Sequence, residues 1–152
     1  MNRNRRVLNG ASCGTMAIVT TSDGLATRDV DFAYVLVRDD PLEAAPDLLA
    51  QVLDCAHDSG GDVVSCDASL VLVAFGWTKD ALPSEGQREA FARSIEEKLG
   101  KRASCVHGRR KCLVGTVGGE HRKSYTLLFS GCREVLLDLA STPLGTVKVV
   151  QG

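Results

Sequence analysis

The stretch GGDVVSCDASLVLVAFG, residues 60–76, restricts the fold more than any other part of the chain. Gly60-Gly61 ends a helical periodicity, Asp62 to Cys66 reads as a short strand, and Asp67-Ala68-Ser69 carries turn chemistry. The strand that follows, Leu70 to Phe75, is apolar on both faces. A strand of that kind needs a layer on each side, so it belongs in the middle of a sheet covered by other elements.

The remaining segments supply those layers. PLEAAPDLLAQVLDCAHD brings Leu42, Ala45, Leu48, Leu49, Val52, Leu53 and Ala56 round at helical spacing, with Pro46 marking a kink or the true start. SEGQREAFARSIEEKLG is a second helix, with Ser84 as N-cap, Gln87 three residues on and Gly100 closing it. GTMAIVTT and VDFAYVLV read as strands joined by a loop over SDGLATRD, and residues 1–13 as a flexible leader. RASCVHG and KCLVGTVGG read as a strand pair around a basic tip at Arg109-Arg110, with Lys111 beside it. SYTLLFSG is a strand, CREVLLDLAS a helix and GTVKVV a last strand. The resulting order, β, β, α, β, β, α, β, β, β, α, β, predicts an α+β fold: a mixed or antiparallel sheet covered by about three helices, in one domain over residues 14–152.

Composition narrows the class. In 152 residues, 44% apolar and 24% charged, the longest apolar run is far too short to cross a bilayer, so a soluble, cytoplasmic chain is expected. A net charge of -1 provides no overall field for nucleic acid. The six cysteines have neither CxxC pairs nor the spacing of a disulfide scaffold. Cys105, His107 and Cys112 could share a metal only with a fourth ligand, and reduced cysteines are the simpler reading.

Three patterns, taken in order, carry a resemblance: HDSGG with DVVSCDASLVLVAFG, then VGTVGGEHRKSYTLL, then GCREVLLDLAS with TPLGTVKVV. Together they cover roughly residues 41 to 150. They resemble the helix, metal-bearing hairpin, Gly-x-Val-Gly turn and closing helix and strand of class III nucleotide cyclase catalytic domains. That family holds two divalent metals on two aspartates, reads the base with a lysine and a polar residue, and orients the ribose and transition state with an asparagine and an arginine.

Residue by residue, the resemblance implies a degenerate site. The second metal position falls on Ser69 and the base-reading lysine on Ser65; the second base-reading position falls on Ser124, the asparagine on Arg133 and the arginine on Leu137. A hydroxyl is no substitute for a carboxylate under a metal, and leucine offers nothing to developing negative charge. The first metal position lies near Val35 or Leu36 if VDFAYVLV is the family's first strand, which leads directly into the helix, and at Asp23 if the preceding strand is.

The expectation is therefore a domain that is not an enzyme and holds no cofactor or metal. It would act as a regulatory or scaffolding module on a protein partner or a second cyclase-like copy, through Val135, Leu136, Leu139, Arg109 and Arg110. Two alternatives stand beside it. One is half of a heterodimeric cyclase whose partner supplies the metal-binding aspartates, with Arg133 one turn before Leu137 able to reach a phosphate. The other is a nucleotide or anion sensor built on the glycine amides of GTVGGEHRK, with Arg122 and Lys123 close by.

Overall fold

The structure, a computed structural model, describes residues 25–38, 41–77 and 86–150. Strand β1 runs Leu25–Val37. A short turn of tight helix at Leu42–Ala44 leads into α1, Ala45–Asp58. The hairpin follows as β2, Asp62–Asp67, and β3, Leu70–Phe75, then α2, Gln87–Leu99. Strands β4, Ala103–Gly118, and β5, Lys123–Phe129, precede α3, Cys132–Ser141, and β6, Val147–Val149.

The sheet order is β2-β3-β1-β4-β5, with β6 paired to β4 off that path. All pairings are antiparallel except that of β4 with β6. Alternation along β1 sorts the core into two layers. Ala33, Val35 and Val37 pack with Leu48, Val52 and Cys55 of α1 and with Phe91, Ile95 and Leu99 of α2. Phe32 and Tyr34 point the other way, into a cluster with Val135 and Leu139 of α3. Strand β3 is buried from Val71 to Phe75 and contributes to both layers, as its two-faced apolar pattern requires.

Pro46 sits in the first turn of α1 and marks its start, where a missing N–H costs nothing. Gly60 closes the helix at φ +79°, and Gly61 lets the chain pass close to β3: a Cβ there would lie 2.6 Å from the Phe75 ring. Leu42 and Leu53, counted on the apolar face of this helix, are instead 70% and 39% exposed.

Two expectations meet a different structure, and three fall on residues that are not described. The strand over residues 14–21, the leader and the Ser84 cap lie outside the described residues. The expected loop over 22–29 is overturned from Leu25 onward, because Leu25 to Asp29 already pair with Gly115 to Lys111. The expected hairpin with a basic tip at Arg109-Arg110 does not exist: β4 is one unbroken strand. Arg109 stands opposite Asp31, and Lys111 opposite Asp29. The Gly108 that suggested a turn serves close approach instead, since a Cβ there would lie 2.6 Å from the Val150 carbonyl oxygen.

Candidate functional site

The turn of the β2–β3 hairpin is brought against the end of β1. The Val37 amide donates to the Ser69 carbonyl at 2.9 Å, and Leu36 stands opposite Leu70. The two positions expected to carry metals, Ser69 and the Val35–Leu36 pair, are therefore adjacent in space. Their chemistry does not fit the metals. Val35 is fully buried in the helix-covered core, Leu36 and Leu70 pack on the α3 side, and Ser69 offers a neutral hydroxyl. Divalent magnesium or manganese takes carboxylate oxygens, and among the described residues no group of three or more His, Cys, Asp or Glu could hold an ion. Asp23 lies outside the described residues.

Ser65 is half-buried on β2, next to an irregularity in the pairing with β3. Ser124 is exposed on β5 opposite Val117. Ser65 and Ser124 stand on the strands at the two ends of the sheet order, β2 and β5, which Trp77 links through Asp62 and Tyr125. Arg133 and Leu137 follow Ser124 on α3, one turn apart and both exposed, Leu137 at 59%. The positions thus fall into two groups: Leu36, Ser65 and Ser69 in one half of the sheet, and Ser124, Arg133 and Leu137 on β5 and the helix after it.

Of the residues expected to face a partner, the two arginines are partly or largely exposed and the α3 residues are turned toward the sheet. Val135 and Leu139 are buried under the sheet, and Leu136 packs half-buried beside them. Arg109 forms a two-pronged bond to Asp31, and Arg110 Nη1 donates to the Ser130 carbonyl at 3.3 Å. Cys105 and Cys112 belong to opposite layers of the core, so Cys105, His107 and Cys112 do not form one metal site. Burial pushes the Cys105 thiol up to about 12 and Cys112 to about 11, which keeps both protonated and inert. In GTVGGEHRK the Gly119 amide already donates to the Arg122 carbonyl at 2.9 Å, and Gly118, at φ +154°, packs against the Arg122–Lys123 backbone. These glycines shape the hairpin.

Two arrangements were not foreseen. Trp77 Nε1 donates to Asp62 Oδ2 at 3.0 Å, and its ring meets Tyr125 at 5.2 Å between centroids, fastening the chain beyond β3 to β5. The second is a buried carboxylate, Asp31, held by Arg109 and Arg88. A charged residue at the start of the apolar run DFAYVLV was the signal for it.

Solved structures of known proteins share this architecture. The guanylyl cyclase Cya2 superposes with a TM-score of 0.63 at 12% identity, over 83% of this chain and 76% of that one. The adenylyl cyclase CyaB from P. aeruginosa gives 0.61 at 10% identity, over 82% and 78%. The chain has the fold of a class III nucleotide cyclase domain.

A third cyclase-fold structure, the guanylate cyclase domain of RhGC from Catenaria anguillulae in complex with GTP, gives 0.62 at 14% identity, over 80% and 77%. No family model and no curated protein matches this cyclase-fold chain. The matched structures are adenylyl and guanylyl cyclase domains, and this corrects the expectation of a chain that is not an enzyme: the likeness points to one. Among the matched structures, the guanylyl cyclase domain of the RhoGC fusion protein from Blastocladiella emersonii is described once as a dimer and once as a monomer. Among the described residues of this one, no helix is long and apolar enough to cross a membrane.

Proposed function

We propose that this cyclase-fold domain is one half of a two-chain nucleotide cyclase, in which the partner subunit supplies the metal-binding carboxylates. The observation that supports the reading is the end of the β2–β3 hairpin against β1, where Leu36 and Ser69 stand at the positions from which the resembling family holds its metals. In this chain's own hairpin the nearest carboxylate is exposed Asp67, opposite Leu70, and one carboxylate does not hold two divalent ions, so the metals belong to the other half. Its contribution comes from α3, where exposed Arg133 can meet a phosphate.

The test is complementation. The chain is mixed with a homodimeric adenylyl cyclase domain whose own asparagine and arginine have been substituted, leaving its aspartates intact, and cyclic nucleotide is measured with ATP or GTP and Mn²⁺. Product is expected from the mixture and from neither component alone, and it should fall by about tenfold or more with Arg133→Ala. Turnover by this chain alone overturns the reading. So does a mixed dimer, verified by sedimentation, that makes no product.

A further inference from the structure

We infer that the cluster around Asp31 is a proton-operated latch, fastening the first turn of α2 to the sheet and releasing it when His107 takes up a proton. The latch joins three elements. From β1, Asp31 is buried, and Arg109 of β4 reaches it with Nε to Oδ1 at 2.7 Å and Nη2 to Oδ2 at 3.2 Å. From the first turn of α2, Arg88 Nη1 donates to the same Oδ1 at 3.2 Å, and its Nη2 donates to Glu89 Oε2 at 2.7 Å. Two guanidinium groups and two carboxylates make a balanced set.

His107 lies two residues before Arg109 on the same face of β4 and is 4% exposed. Its Nδ1 has no hydrogen-bond partner, and neither has Arg88 Nε. The charged groups around it are Arg88 and Glu89 from α2, Asp31 from β1 and Arg109 on its own strand; β6 presents uncharged Val149 opposite it. A proton on the imidazole adds an unbalanced positive charge in a buried place beside the Arg88 guanidinium, whose side chain is 14% exposed. Burial, and then the Arg88 guanidinium, hold His107 below the usual histidine range. With α2 lifted, the imidazole is hydrated and regains its ordinary value, about 6.5. The open form therefore binds the proton more tightly, and acid favours it. The latch is closed above about pH 6.5 and loosens as pH falls from there toward the lowered value of the closed state.

Hydrogen exchange on the whole chain tests this. Amide protection over Gln87–Ala92, corrected for intrinsic exchange, is measured from pH 7.5 to 5.5 alongside β1 and β3. Opening of the α2 turn is expected to rise about tenfold per pH unit below about 6.5, one proton being taken up, while the strands hold steady. His107→Gln, neutral throughout, should abolish the slope. Should that variant not fold, the His107 ring is titrated by NMR in the native chain, with a midpoint expected below 6.5. Flat protection, an unchanged slope in His107→Gln, or a midpoint at or above 6.5 overturns the latch.

Discussion

Asp31 and Arg109 are partners with unequal stakes. The Asp31 side chain is 4% exposed and that of Arg109 54%, so losing the carboxylate strands buried charge on Arg88, whereas losing Arg109 leaves Asp31 one partner. Asp31→Asn is expected to lower stability by about 3 kcal/mol and Arg109→Ala by about 1 kcal/mol, measured by urea unfolding. Thiol chemistry sorts by burial in the same way. With iodoacetamide at pH 8, exposed Cys66 should be alkylated in the folded chain and Cys105 only after unfolding; labelling of native Cys105 would contradict its placement in the core. At this scale the sequence was only partly readable. The apolar strand around Asp31 was plain from alternation, but the partners of its one charge come from β4 and from a helix far along the chain, and no local pattern carries that pairing.

Elements were legible where periodicity was strong. Helix α1 starts at its proline and stops at its glycine, and the two-faced apolar strand β3 is central. The error at β4 has a local cause: Gly108 followed by three basic residues has turn chemistry, yet Gly108 is small because Val150 passes against it, and Arg109 is matched by an aspartate across the ladder. The hairpin turn offers a test of its own. Ala68 has φ +54°, a left-handed conformation that an L side chain adopts at a cost of about 1 kcal/mol. Ala68→Gly should raise the midpoint of thermal unfolding by about 2–4 °C. The opposite sign is expected at Gly61, where Ala must displace Phe75 and Val73, lowering stability by about 1–3 kcal/mol.

For the whole molecule, the ordered motifs pointed to the right architecture even though identity with the matched structures is 10–14%. Hydrophobic pattern and turn residues set the layers, and these outlast the replacement of individual side chains. The adjacency of Ser69 and Leu36 was not fixed by those motifs, which left the first metal position at Val35 or Leu36 or at Asp23. Whether a site works was not readable either, because its chemistry rests on individual side chains that hydrophobic pattern and turn residues do not fix. The topology has a further outcome, in time rather than space. Strand β1 finds one neighbour in nearby β3, from Asp31 to Leu36, and the other in β4 along its whole length, Leu25 opposite Gly115, while β4 in turn receives β6. During synthesis β1 emerges long before β4 or β6, so one edge of this apolar strand stays open while half of the sheet is still to be made. Folding is then governed by loop closure between distant segments, on the millisecond-to-second scale of high contact order, and chaperone demand is set by how long β1 waits.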